Sequence, residues 1–171
     1  YGSLCCKLMS HWQQNENHFF KPKLFNKLIK IGIVSHHIHQ HPVWDALTKG
    51  WVEHIDRNRF ELFFFYTGFK VDKETEFAKS IAKDFITFGD DLSSWVNAIL
   101  AAQIDVLIYP EIGMDPISAK LANLRLAPVQ LGSWGHPETT GLPTIDYYLS
   151  ADLLEPGNSD KYYTEQLIKL P

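Results

Sequence analysis

The sequence predicts an α/β protein built on a doubly wound, mostly parallel sheet of the Rossmann-like kind. Short runs of β-forming apolar residues alternate with segments whose apolar residues recur every three or four positions, and the links between them are short. This alternation is typical of βαβ units. The run 60–66, FELFFFY, is apolar at nearly every position, which indicates a strand covered by helices on both faces.

The predicted elements follow from local signals taken in chain order. Pro42 is suited to the first turn of a helix, and Asp72 and Asp115 are suited to N-caps, the second with Pro116 directly after it. Strands are predicted at 28–34, 60–66, 85–88, 105–109, 129–134 and 147–150. Helices are predicted at 43–55, 72–83, 92–100 and 115–125.

The two ends of the chain are less regular. Leu4, Leu8 and Trp12 have helical spacing, and the mixed segment 15–23 is typical of a linker. We therefore expect 1–26 to be a helical tail or linker from an upstream domain and 27–171 to be the Rossmann-like lobe. Tyr1 is not a start residue, and 167–171 stops as a new apolar segment forms, so we expect a piece of a longer protein.

Composition excludes several classes of function. The net charge is -4, from 16 basic and 20 acidic residues with no basic stripe, so nucleic acid is not an expected partner. The two cysteines, Cys5 and Cys6, are adjacent and offer no disulfide framework, which favours a reducing, cytoplasmic setting. No apolar run reaches the roughly 18 residues of a membrane span.

Four histidines follow the first predicted strand, where ligands bind in open α/β sheets. They are His36, His37, His39 and His41. His41 lies at the start of a helix, whose positive end disfavours imidazolium, so the ring is a candidate general base. One alternative is a capping or exposed histidine that closes the turn. Another is a metal site on His37, His39 and His41, as in a metal-dependent hydrolase, although no nearby carboxylate or cysteine completes a ligand set.

Two more polar loops follow the fourth and fifth predicted strands and should emerge at the same edge of the sheet. In the first, Glu111 is a candidate acid, base or hydrogen-bonding group, with simple surface solvation as the alternative. The second offers a flat indole, an imidazole and two hydroxyls for a sugar or a peptide, with turn formation and a packed Trp as the alternative. Its candidate residues are Trp134, His136, Thr139 and Thr140.

No phosphate-binding signature is present in this part of the molecule. Neither the G-x-G-x-x-G pattern of dinucleotide folds nor the P-loop pattern occurs, and the place after strand one holds 32–37, GIVSHH. A nicotinamide or P-loop enzyme is therefore disfavoured.

Several segments resemble the catalytic region of the O-linked N-acetylglucosamine transferase family. They include 30–35 (KIGIVS), His41-Pro42, 56–61 (DRNRFE), 127–130 (APVQ), 134–137 (WGHP), 139–141 (TTG) and 163–171. The WGHP form is nearer to the bacterial branch and to the cytoplasmic N-glycosyltransferases. The resemblance covers about residues 28–171.

The resemblance implies one lobe of a two-lobed GT-B fold, often preceded by tetratricopeptide repeats. It implies sugar transfer from a UDP-sugar to a protein or peptide acceptor, with inversion and without an essential metal or cofactor. The family histidine of the His-Pro motif maps onto His41, a proposed but disputed catalytic base, and His136-Pro137 maps close to the cleft. The donor diphosphate is held mostly by the carboxyl-terminal lobe.

Two departures from the family pattern concern the same loops. Before His-Pro the family usually has Asp-Phe or a similar pair, whereas this chain has 37–40, HIHQ. After strand four the family usually has Gly-His-Thr or Gly-Tyr-Thr, whereas this chain has 111–115, EIGMD. The sequence therefore predicts the amino-terminal lobe of an inverting glycosyltransferase that moves N-acetylglucosamine or a hexose, with His41 and Glu111 as catalytic residues. The alternative is a non-catalytic module that binds a peptide or a sugar.

Overall fold

A computed structural model of the chain describes residues 1–16 and 28–171. The described strands are β1 (Ile29–Ser35), β2 (Phe60–Tyr66), β3 (Asp84–Ile86), β4 (Val106–Tyr109), β5 (Val129–Ser133), β6 (Tyr147–Ala151) and β7 (Gln166–Leu170). The described α-helices are α1 (Gly2–Asn15), α2 (Lys49–His54), α3 (Lys73–Ile81), α4 (Leu92–Ala102) and α5 (Pro116–Ala122).

The seven strands form one sheet in the order β3-β2-β1-β4-β5-β6-β7. Every neighbouring pair is parallel. The chain adds β2 and β3 on one side of β1, and then β4 to β7 on the other. The predicted α/β, Rossmann-like fold is confirmed, and its topological switch point lies between β1 and β4.

The core lies on both faces of the sheet. On one face, Trp44 and Val52 from the segment after β1 pack with Phe64. On the other face, Trp95 of α4 and Leu121 of α5 lie in a second cluster. Side chains of β2 alternate between the two clusters, as expected for successive residues of a strand. This explains why the 60–66 run is apolar at nearly every position.

The first helix begins where the sequence predicts, but its first part is irregular. The His41 carbonyl accepts a hydrogen bond from the Asp45 N–H at 2.9 Å, so Pro42 lies in the first turn. A π-helical segment, Trp44–Thr48, then precedes α2. The Thr48 hydroxyl donates to the Val43 carbonyl five residues back, at 3.3 Å, and so supports the wider turn. Insertions of this kind are frequent at functional sites.

Several predicted element ends shift by one to three residues. Helix α3 ends at Ile81 instead of 83, because Ala82 is extended and the Lys83 N–H donates to the Leu62 carbonyl. Strand β3 covers Asp84–Ile86 instead of 85–88, since its partner β2 ends one residue past Phe65, which pairs with Ile86. The predicted α5 helix was too long by three residues at its end, where Asn123 is the C-cap.

Strand β7 was not predicted. It lies at the edge of the sheet and pairs with β6 over five residues. Its residues are exposed or half-buried and do not alternate in burial, so the sequence lacks the pattern of a one-sided strand.

Helix α1 packs on the same core as the sheet. Cys6 is buried in the cluster that also contains Trp95, and its Sγ donates to Oδ1 of Asn123 at 3.4 Å. The predicted linker falls mainly outside the described residues, as does the boundary at 26–27, so the division into 1–26 and 27–171 remains a prediction. Within the described segments, no helix is both long and apolar enough to cross a bilayer.

Candidate active site

Three loops converge at the carboxyl edge of the neighbouring strands β1, β4 and β5. They are the histidine turn (residues 36–41), the β4 loop (110–115) and the β5 loop (134–143). Glu111 Oε1 accepts hydrogen bonds from the Ser35 hydroxyl and from the His36 N–H, each at 2.8 Å. The Gly135 N–H donates to the Pro110 carbonyl at 3.0 Å. The loops therefore meet at the topological switch point, where open α/β sheets bind ligands.

Side chains from other elements fix the backbone of the histidine turn. The Ser35 hydroxyl accepts from the His37 N–H at 3.0 Å. Helix α3 supplies two further bonds at its N-terminus. The Thr75 hydroxyl donates to the Ile38 carbonyl at 2.7 Å, and Asp72 accepts from the Gln40 N–H at 2.9 Å. The imidazoles are thus carried on a preorganised backbone, which a catalytic or binding site requires.

His41 caps the helix that it precedes. Its Nδ1 accepts a hydrogen bond from the Val43 N–H at 3.2 Å, so the capping alternative describes what this nitrogen does. Burial lowers the pKa of His41, and Lys70 and His36 act in the same direction, against the opposing effect of Asp45. The neutral ring must therefore carry its proton on Nε2, because the Nδ1 lone pair is occupied.

His37 lies flat against His41. The ring centroids are 3.7 Å apart and the planes differ by 8°. Both ring nitrogens of His37 are buried and have no hydrogen-bond partner among the described residues. Burial, followed by the neighbouring histidines, lowers the pKa of His37 to about 4. His37 is therefore neutral near pH 7, and its ring packs against one face of the His41 ring.

His39 has the opposite hydrogen-bonding arrangement from His41. Its Nδ1 lies 3.1 Å from the Tyr66 hydroxyl oxygen, and that hydroxyl donates its own proton to the Lys70 carbonyl at 2.6 Å. A hydroxyl has one proton, so the Nδ1 atom of His39 must be the donor to Tyr66.

The metal alternative depended on convergence of His37, His39 and His41. Their rings instead pack against one another in stacked, edge-on and tilted pairs. Across residues 1–16 and 28–171, no group of three His, Cys, Asp or Glu side chains is arranged to hold a metal ion.

Glu111 is fully buried, with 0% of its surface exposed. The surface-solvation alternative is therefore wrong: the side chain points inward because two donors on and beside β1 hold its Oε1 atom. Burial raises the pKa of Glu111 to about 7, and the hydrogen bonds from Ser35 and His36 only partly offset this effect. Its Oε2 atom is buried and has no hydrogen-bond partner in the described part of the chain.

Asp115 caps α5 as predicted and also contacts residues of two other loops at the site. Its Oδ2 accepts from the Ser118 N–H at 2.7 Å and from the Thr67 hydroxyl at 2.9 Å. Its Oδ1 lies 3.6 Å from Nδ1 of His36. One helix cap therefore also links the loops that follow β1, β2 and β4.

The β5 loop residues have different surroundings. Trp134 is half-buried and lines a cavity of about 140 Å³, together with Gly135 and the start of the helix after β1 (Pro42, Val43, Ala46 and Leu47). His136 is exposed, and its carbonyl accepts from the Tyr148 hydroxyl at 2.7 Å. The hydroxyls of Thr139 and Thr140 both donate to Glu165, so their proposed contact with a sugar remains a prediction.

Several residues that shape the site were missed by sequence reasoning. They are Ser35, Tyr66, Thr75, Glu165 and also Asp72, which the sequence identified only as an N-cap. All of them act through partners that are distant in sequence, such as Thr75 and Ile38, and no local pattern reports such pairs. Ser35, a serine at the end of a buried strand, is a signal that could have drawn attention.

Comparison with known proteins identifies the family. The chain matches the family described as Glycosyl transferase family 41 over residues 1–171. The chain belongs to this family. A curated relative, the probable UDP-N-acetylglucosamine–peptide N-acetylglucosaminyltransferase SPINDLY of Oryza sativa subsp. japonica, is 27% identical over 178 aligned positions, which cover 100% of this chain and 18% of that protein.

Similar proteins also occur in bacteria. The UDP-glucose:protein N-beta-glucosyltransferase of Actinobacillus pleuropneumoniae serotype 5b (strain L20) is 36% identical over 66 residues, which cover 39% of this chain and 10% of that protein. The solved structure of a mutant Thermobaculum terrenum O-GlcNAc transferase has the same fold, with a TM-score of 0.75 and 22% identity over 96% of this chain and 33% of that one. The chain thus spans a third or less of these relatives.

Proposed function

We propose that this chain is the amino-terminal lobe of a cytoplasmic glycosyltransferase that moves a sugar from a UDP-sugar to side chains of proteins. Membership of family 41 supports the proposal. So do the names of its relatives, which describe transfer of N-acetylglucosamine to peptides and of glucose to proteins.

The position of the His-Pro motif supports placing the transfer reaction at this site. Loops after three adjacent parallel strands meet at the topological switch point, and the His-Pro motif opens the helix there. Ligands of open α/β sheets bind at this position. A backbone N–H holds the His41 ring by its Nδ1 atom, which leaves the Nε2–H group to interact with a ligand.

The proposed roles follow from the hydrogen bonds. His41 orients the acceptor or the sugar by donating from Nε2, while Glu111 holds the histidine turn through Ser35 and His36. Trp134 offers an indole face beside an apolar cavity, suited to a sugar ring or an acceptor side chain. His136 is exposed on the same loop as Trp134, and Thr139 and Thr140 keep the shape of that loop through Glu165.

The sugar-nucleotide phosphates are assigned to a second lobe in this proposal. The segment after β1 lacks a glycine-rich loop, and the Ser35 hydroxyl there accepts the His37 N–H. The longer lengths of the relatives agree with a second lobe beyond this chain.

The proposal is tested by transfer assays on the protein that contains this chain. We expect label to pass from radioactive UDP-N-acetylglucosamine or UDP-glucose to an acceptor protein. His41→Asn keeps an acceptor for the Val43 N–H but lacks the Nε2–H donor, so we expect it to retain the Tm and to lose about 10²-fold or more in kcat, the scale of losing one transition-state donor. His54→Asn, at an exposed histidine at the end of α2, serves as the control.

Two results would contradict the proposal. The first is no transfer from any UDP-sugar by the wild-type protein. The second is normal transfer by His41→Asn, which would remove His41 from the site.

A further inference from the structure

The histidine turn presents two neutral imidazoles with opposite proton positions. In His41 the Nδ1 lone pair accepts the Val43 N–H, so the ring proton lies on Nε2. In His39 the Tyr66 hydroxyl is already committed as donor to the Lys70 carbonyl, so the ring proton lies on Nδ1. A neutral imidazole has one proton, and the Nε2 atom of His39 is therefore a free acceptor in the ring.

The location of His39 agrees with a role in the site. Its ring centroid is 5.7 Å from those of His37 and His41. Because Nδ1 is aimed at Tyr66, the geometry of imidazole aims Nε2 away from that residue, and Nε2 makes no hydrogen bond within the described residues. The exposed fraction of His39 is 8%, so the residue is largely buried but still in contact with solvent.

We infer that His39, and not His41, accepts the proton of the acceptor side chain in the transfer reaction. The inference rests on the proposed function. The acceptor oxygen or nitrogen forms a bond to the anomeric carbon while the bond from that carbon to the diphosphate oxygen breaks. The diphosphate leaves with the electron pair, and the acceptor's proton passes to Nε2 of His39. In the resulting imidazolium, Nδ1–H still donates its hydrogen bond to the Tyr66 hydroxyl, and the proton on Nε2 is later lost to water.

The charged groups around His39 agree with a neutral ring before the reaction. Burial lowers its pKa most, Lys70, His41 and His36 lower it further, and Asp72 opposes them. The hydroxyl of Tyr66 does not compete as an acid, since burial raises its pKa to about 12. Near pH 7, the base form of His39 is therefore the populated one.

The proton positions are tested directly by NMR on the protein labelled with ¹⁵N at histidine. Two-bond ¹⁵N–¹H correlations distinguish the tautomers, and we expect Nδ1–H for His39 and Nε2–H for His41. In Tyr66→Phe the constraint on His39 is removed, so its signals should shift toward a mixture of tautomers while those of His41 stay unchanged. Finding the His39 proton on Nε2 in the wild type would overturn the inference.

Transfer kinetics test the role itself. His39→Asn keeps an N–H donor for Tyr66 but lacks the accepting nitrogen, so we expect a loss in kcat of about 10²- to 10⁴-fold with little change in KM. In the pH dependence of kcat, the fall toward acidic pH should lose the contribution of His39 in His39→Asn, which changes its midpoint, and should keep that contribution in the residual activity of His41→Asn. His54→Asn again serves as the control.

The outcomes separate this inference from the proposed function. Normal transfer by His39→Asn, or a fall in kcat at acidic pH with the same midpoint in that variant as in the wild type, would overturn the base role while leaving the glycosyltransferase proposal intact. A wild-type protein with the expected tautomers and no transfer from any UDP-sugar would contradict the proposed function, and the base role with it.

Discussion

At the residue scale, burial and hydrogen bonding decide what each polar side chain of the site can do. The sequence alone is compatible with solvent-exposed side chains of unshifted pKa at Glu111, His37 and His41. In the fold, burial raises the pKa of Glu111 to about 7 and lowers that of His37 to about 4. At neutral pH the site therefore contains neutral imidazoles beside a carboxyl group that is only partly ionised.

Glu111 should make the stability of the protein depend on pH. Its folded pKa of about 7 lies above the ordinary value of 4.5, so the folded state binds its proton more tightly than the unfolded state. This contribution is full below about pH 4.5 and is lost as the pH rises through about 7. The shift corresponds to about 3 kcal/mol of unfolding free energy.

The variant Glu111→Gln tests this dependence. Its amide oxygen can accept from Ser35 and His36, but it does not titrate, so we expect the loss of stability from pH 5 to pH 8 to be smaller in the variant. His37 acts in the opposite direction, losing stability as the pH falls from about 6.5 to about 4, and the difference between the two proteins cancels its effect. The measurement is the unfolding free energy from urea denaturation at several pH values. The same dependence of that free energy on pH in both proteins would refute the buried titration of Glu111.

At the element scale, the site depends on how closely three loops approach one another. Gly135 lies where the β5 loop closely approaches the β4 loop. A Cβ atom there would lie 2.5 Å from the Pro110 carbonyl oxygen and 3.1 Å from Cβ of Glu111. The opposing atoms belong to backbone and to a buried side chain, so neither can move away easily.

Gly135→Ala should therefore loosen the site and destabilise the protein by about 1–3 kcal/mol, the usual cost of overpacking. Gly50→Ala provides a matched control at an exposed position of α2, where a Cβ atom would meet nothing within 4 Å. We expect that substitution to stabilise the protein by roughly 0.5–1 kcal/mol, since alanine has the higher helix propensity. Thermal unfolding of both variants gives the comparison, and equal Tm changes would argue against close packing at Gly135.

At the scale of the whole molecule, strand order brings the loops together. The histidine turn and the β4 loop follow strands that are distant along the chain but adjacent in the sheet. The same order leaves this lobe with imidazoles, a buried carboxyl group and an indole at its ligand edge. It supplies no glycine-rich loop for phosphate.

We therefore expect the 171-residue chain by itself to show no saturable binding of UDP at millimolar concentration. A protein that contains this chain together with the proposed second lobe should bind UDP, because the proposal assigns the phosphate contacts to that lobe. Isothermal titration calorimetry on both proteins makes the comparison. Saturable binding to the short chain would place the phosphate site in this lobe and would revise the division of roles.

The sequence by itself determined the elements and the edge at which the site lies. Periodicity predicted six of the described strands, and the Pro42, Asp72 and Asp115 signals predicted three helix starts, because such signals act over a few residues. It missed β7, an edge strand without alternation. Tertiary structure alone decided the burial of Glu111, the attachment of Thr139 and Thr140 to Glu165, and the proton position of His39. Each of these depends on a partner that folding places nearby; Tyr66 is 27 residues from His39, and no local pattern encodes the distance between them.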